Sequence, residues 1–241
     1  VTIRAESWDP VLAIGVTIAD RYGINLSVEA PKWAFPGDTE DVAVTDPEFS
    51  EQHDHIHYEV MRRHAIEVQF STSANGHPDD VVRLLRQLAD AANREMPYEY
   101  RLDVSGDAYA LVPTKTRNAK GDLEDVMPLL DRNVIISSGT RSIAEHAKLM
   151  ADDLSKQTEL SIGCCQSLVA GVPWGMAKVR FGADHKPARE VLKSLILIEQ
   201  QANSQASSRH PDYDRWVVRC DGTGAPFCFI EVEGKWPSWC P

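Results

Sequence analysis

The side chains best suited to chemistry stand together at His53-Asp54-His55-Ile56-His57-Tyr58-Glu59, with His64 a few residues on. Strand side chains alternate between faces, so an extended backbone would put residues 53, 55, 57 and 59 on one side. Three imidazoles and a carboxylate in that array form a donor set for a divalent ion such as zinc. A helical backbone would instead bring His53 to His57 and His57 to Met61. The same run also reads as a solvated polar loop leading into a strand. A metal held by His53, His55 and His57 would be structural more readily than catalytic, because no separate general base or oxyanion donor is evident.

Other reactive patterns are weaker. The chain has no Gly-x-Ser-x-Gly elbow, Walker loop or His-Glu-x-x-His helix, so no catalytic residue is assigned. Gly222-Thr223-Gly224 reads as a hairpin turn whose glycines serve positive φ, not phosphate. Asp79-Asp80 and Asp152-Asp153 fit helix solvation and dipole compensation better than paired acid–base work. His146 and His185 fall near helix starts with no evident partner. Asn25-Leu26-Ser27 matches a glycosylation sequon, but on a strand. Trp236 and Trp239 in the tail read as anchors on a core, or as binding hot spots together with Trp174.

All five cysteines lie in the second half: Cys164, Cys165, Cys220, Cys228 and Cys240. Cys220 and Cys228 flank a turn at residues 221–226 and could face each other across it. Cys240 could pin the Trp-rich tail. Disulfides, and hence an oxidising compartment, are the favoured reading. Buried free thiols acting as small apolar side chains are the other. Adjacent Cys164 and Cys165 are poorly spaced for zinc.

Composition narrows the classes. At 241 residues and 43% apolar, the chain can fill one large core or two small ones. A formal net charge of -11 opposes nucleic-acid binding, which needs clustered cations. No apolar run approaches the ~18 residues a spanning helix requires. The chain opens on Val1, as a processed protein would, so lack of a leader is no argument for the cytoplasm.

The elements that must position these residues recur. A strand at residues 1–3 precedes a helix begun by Asp9-Pro10, with Val11, Gly15, Ile18 and Tyr22 on one face and Gly23 at its end. Leu26, Val28 and Ala30 form a second strand, and residues 65–71 a third. Pro78-Asp79-Asp80 opens a helix to about Met96. Strands then flank Ser105-Gly106-Asp107, a hairpin signal. In the second half, residues 133–137 form a strand, and Ser142 with Glu145 makes a capping box. Strands at 160–164 and 178–182 follow, then a helix from Pro187 and strands at 216–220 and 227–232. Both halves thus read strand, helix, strand, strand, helix, strand, strand. The expected fold is α+β: two tandem βαββαββ-type domains, each with two helices packed on a small mixed sheet. The first covers residues 1–114 with an acidic, Pro-rich insertion at 31–64. Residues 115–131 read as a polar linker. The second domain covers 132–241 with a Cys-rich tail.

The element order, the run from Ile143-Ala144-Glu145 through Leu154-Ser155-Lys156-Gln157-Thr158-Glu159-Leu160-Ser161-Ile162, and Pro187-Ala188-Arg189-Glu190-Val191-Leu192 resemble the secretin and TonB short N-terminal domain. The second half matches in letters; the first matches mainly in element order and at residues 81–88. The resemblance covers about two-thirds of the chain. It implies a periplasmic or secreted, bacterial, non-enzymatic module that contacts regulatory proteins or helps build rings. Exposed sheet edges would accept a protein partner or a second copy. It implies no cofactor and carries no catalytic residue. The alternative function is a metal-binding, conceivably hydrolytic, protein centred on His53, His55 and His57.

Overall fold

A computed structural model describes residues 2–32, 34–41, 48, 51, 59–69, 78–158, 160–164, 175–205, 212–221 and 227–235. Among the described residues, four helices of thirteen residues or more and mixed sheets give an α+β fold. The chain divides into two compact units, Val1–Val126 with Cys220–Pro226, and Met127–Arg219 with Phe227–Pro241.

In the first unit, β1 (Thr2–Ser7) leads to α1 (Pro10–Tyr22). The Asp9 carboxylate accepts from Leu12 N at 3.0 Å, satisfying one of the free amides of the first turn. Gly23, at φ 63°, ends the helix in the left-handed region that glycine adopts without a Cβ clash. Gly15 is needed for close approach, since a Cβ there would lie 3.2 Å from Leu26 Cδ2. The strand β2 (Asn25–Glu29) follows. A 3-10 turn at Pro36–Asp38 precedes β3 (Thr39–Asp41), which pairs antiparallel with β4 (Glu59–Met61). The insertion is therefore rooted in a short hairpin. Next come β5 (His64–Gln69), α2 (Pro78–Glu95), β6 (Glu99–Ser105) and β7 (Ala108–Arg117). β7 runs past the expected strand end, and β8 (Leu123–Asp125) folds back on it. Asn118 makes this turn: its Oδ1 accepts from the Lys120 and Asp122 amides, and Gly121 takes φ 90°. The charged side chains of this exposed pair conceal its strand character in the sequence.

In the second unit, a 3-10 turn at Leu129–Asp131 precedes β9 (Asn133–Ser142), α3 (Ile143–Thr158) and β10 (Ser161–Cys164). Then come β11 (Lys178–Pro187), α4 (Ala188–Gln205), β12 (Asp212–Asp221) and β13 (Phe227–Lys235). The capping box before α3 is formed: Glu145 N donates to Ser142 Oγ, and Ser142 N donates to Glu145 Oε2 at 2.7 Å.

The two units share one pairing scheme. In the first, β1 pairs antiparallel with β5, β2 pairs parallel with β7, and β6 pairs antiparallel with β7. In the second, β9 pairs antiparallel with β11, β10 pairs parallel with β13, and β12 adjoins β13. Both parallel pairings are four residues long, Asn25–Val28 on Ala108–Leu111 and Ser161–Cys164 on Phe227–Ile230. α1 packs on β1, β5 and β2, α2 on β5 and β6, and α3 on β9, β11 and β10. Their apolar stripes make the cores: Val11, Ile14, Ile18, Leu85 and Leu88 in one unit, Ile143, Met150, Leu154, Leu192 and Leu195 in the other, all buried. No described helix is long and apolar enough to cross a membrane.

Candidate functional site

His53, His55 and His57 lie outside the described residues, as do Trp174, Trp236, Trp239, Gly222, Thr223 and Gly224. Among the described residues, no group of three or more His, Cys, Asp or Glu side chains could hold a metal ion. Cys220 and Cys228 form a disulfide, and Cys164 is also disulfide-bonded. Cys165 and Cys240 lie outside the described residues. The acidic pairs divide their work. Asp153 accepts from Ile135 N at 3.0 Å and Asp152 from Lys148, while Asp80 pairs with Arg83 one turn along α2. His146 is fully buried, its Nε2 3.2 Å from Val179 O and its ring set edge-on to Phe181. His185 is exposed at φ 49° in the irregular part of β11, beside Asp184.

One polar cluster surrounds the root of the insertion. Arg117 of β7 donates to Asp38 Oδ1 at 2.8 Å. Arg62 donates through its backbone to Asp38 O at 2.8 Å and through Nε to Thr39 O at 3.1 Å. Thr116 Oγ1 donates to Lys32 O, and the Arg117 guanidinium lies over the Phe35 ring. His64 opens β5 beside this group, with its Nε2 buried and without a hydrogen-bond partner. Burial raises the Asp38 carboxyl above its ordinary range despite the Arg117 and His64 charges that oppose the shift. Burial lowers the His64 imidazole, with Arg117 and Arg62 adding to the effect and Asp38 opposing it. These groups clamp two ends of an insertion.

The sheet edges are the other places where polar groups could meet a partner, and among the described residues those of β6, β9, β10 and β11 carry caps or irregularities. At β6, the Asn93 side chain of α2 accepts from Tyr100 N at 2.6 Å and donates to Tyr100 O at 3.0 Å. At β9, Asp153 of α3 accepts from Ile135 N, and Gln157 donates to Asn133 O at 2.8 Å. At β10, Ser155 of α3 accepts from Ile162 N at 3.1 Å. The β11 ladder carries two register shifts, between Phe181 and Ala183 and between Ala183 and Lys186, with exposed Lys178, Arg180 and Lys186 along it. Bulges and lysines of this kind blunt an edge.

The β1–β5 ribbon differs. Its ladder runs without a shift from Thr2–Gln69 to Ser7–His64, and among the described residues no side chain caps an outer edge. Beside β5, a cleft of about 320 Å³ is lined by Glu67, Val68 and Gln69 and by Gln87, Asp90, Ala91 and Arg94 of α2. Three consecutive strand residues can line one cleft only where the backbone itself is presented, because their side chains alternate. None of the lining residues belongs to β1, so the cleft lies on the β5 side of the ribbon. The caps and the cleft were not foreseen in the sequence. Asn93, Ser155, Asp153 and Gln157 read there as ordinary polar faces of helices.

Comparison with protein-family models, with curated proteins and with solved structures gives no match to this chain.

Proposed function

We propose that this chain is a non-enzymatic, extracytoplasmic docking module made of two copies of a short domain of the secretin and TonB N-terminal kind. The observation that carries the reading is the recurrent pairing: β1 with β5 and β2 parallel with β7 in the first unit, β9 with β11 and β10 parallel with β13 in the second. This recurrence supports a duplicated short domain of that kind. The Cys220–Cys228 bridge suits an oxidising compartment such as the periplasm or the exterior. The formal charge of -11 disfavours nucleic acid as the partner. Binding of a protein partner, or of a second copy, would proceed by strand addition at an uncapped edge.

The test is direct. The full chain, oxidised, is immobilised and exposed to periplasmic extract, retained proteins are identified, and each is re-expressed for titration. In parallel, light scattering follows the chain from 1 to about 200 μM, the range of weak association. Saturable binding of a purified partner, or reversible self-association, is expected. A strict monomer that binds no purified candidate overturns the proposal.

A further inference from the structure

We infer that the docking edge is the outer edge of β5, and that its occupant is an extended peptide segment of a partner protein carrying Lys or Arg. The inference rests on the docking reading above and says where docking happens. It begins from a difference between the copies. Among the described residues of the second unit, β9, β10 and β11 each carry a side-chain cap or a break in register: Asp153 and Gln157 on β9, Ser155 on β10, two shifts in β11. In the first unit, Asn93 caps β6 in the same manner. The β1–β5 ribbon keeps a continuous ladder with uncapped outer edges among the described residues. Natural sheets rarely leave such an edge without a bulge, a cap or an inward charge unless something binds there.

Of these two edges, β5 borders a cleft with the composition a peptide needs. Val68 and Ala91 form an apolar floor, both buried. Gln87 offers an amide that can donate to or accept from a main chain, and the exposed hydrogen bond from Gln69 Nε2 to Glu67 Oε1 at 3.0 Å would exchange for ligand contacts. Glu67 and Asp90 place two carboxylates against one cation, Arg94, within a protein already strongly negative. Main-chain bonds to Glu67–Gln69 would supply affinity. A small or β-branched residue would rest on Val68 and Ala91. A Lys or Arg at the adjacent position, on the opposite face, would meet Glu67, with Asp90 adding to the negative field, giving specificity and a salt-dependent on-rate.

The probe is a phage-displayed library of random seven-residue peptides selected on the oxidised full chain, followed by synthetic peptides of the enriched sequences. The expected result is enrichment of alternating β-branched and basic residues. Amide shift changes in labelled protein should fall on Glu67–Gln69 and the 87–94 face of α2. Glu67→Lys with Asp90→Lys should weaken binding at least tenfold with an unchanged circular dichroism spectrum. The milder Glu67→Gln with Asp90→Asn should weaken it less and flatten its salt dependence. Lys178→Glu with Arg180→Glu on β11 should leave it unchanged. A library without binders, binders that shift β6 or β11 instead, or binders insensitive to both cleft variants would each overturn the inference. A purified partner that binds elsewhere on the chain overturns this assignment and leaves the docking reading standing. Absence of both partner and peptide removes both.

Discussion

Asp38 accepts a hydrogen bond from the Arg117 guanidinium at 2.8 Å, joining residues 79 positions apart at the root of the insertion. The carboxylate side chain is 14% exposed and the guanidinium 37%. Burial raises the Asp38 pKa even with the cation beside it, so the site resists the charged carboxylate. The two halves of the pair should therefore respond unequally. Arg117→Met leaves a carboxylate without its cation and should cost about 1–3 kcal/mol at pH 7. Asp38→Asn keeps an acceptor and removes the charge, and should cost under about 1 kcal/mol. The Arg117→Met penalty should shrink as pH falls through the raised Asp38 value, because the folded state then holds a neutral acid. Urea titrations of both variants at pH 7 and pH 4 check this. Equal penalties would mean that the ion pair sets no asymmetry.

His64 supplies a second pH dependence of opposite sense. Its folded pKa lies below the ordinary 6.5 because of burial, reinforced by Arg117 and Arg62 and opposed by Asp38 and Glu40. A group depressed in the folded state contributes stability above its unfolded value and loses it as pH falls through the folded one. Stability should therefore decline on acidification below about pH 6.5. His64→Gln should flatten that slope. Thermal melts of both proteins from pH 8 to pH 5 measure it, and parallel curves would rule His64 out as the cause.

The Asn93 side chain holds both main-chain groups of Tyr100. Asn93→Ala should cost about 1–2 kcal/mol, since a partly buried N–H and C=O lose their partners together. It should also open the β6 edge. Concentration-dependent association absent from the parent chain is expected, because an uncapped edge templates pairing. Sedimentation velocity at rising concentration reports it, and a monomer with parental stability would show the cap to be dispensable.

The Cys220–Cys228 bridge closes a short loop between β12 and β13. In the chain-entropy account, a loop of roughly nine residues stabilises by about 2.5 kcal/mol. Cys220→Ala with Cys228→Ala should lose about that amount in chemical denaturation. Peptide mapping without reductant should recover the two cysteines joined. Recovery of both as free thiols in protein from an oxidising compartment would contradict the bridge.

Much of the architecture could be read from local residues. Asp9-Pro10 and Gly23 bounded α1, and Ser142 with Glu145 opened α3 as a reciprocal cap. The hairpin at Ser105-Gly106-Asp107 formed, with Gly106 at φ 63°. Strand ends were less legible: β9 and β11 run several residues beyond their apolar cores, and β8 was hidden by charge at 115–131. Caps and turns act over three or four residues, so their chemistry is written in adjacent letters. Exposed strand ends lack the apolar alternation that would mark them.

What the sequence by itself determined is the succession of elements, repeated once, because helical periodicity, caps and turn residues are local. What only the tertiary structure decided is which edges are closed. Asn93, Ser155, Asp153 and Gln157 look alike in the sequence, each a polar residue on a helix. They become edge caps because folding brings them to main-chain groups 7 to 24 positions away. The cleft that joins Glu67–Gln69 of β5 to Gln87, Asp90, Ala91 and Arg94 of α2 exists for the same reason. Whether a strand's outer N–H and C=O groups find a partner depends on non-local packing, which no periodicity encodes.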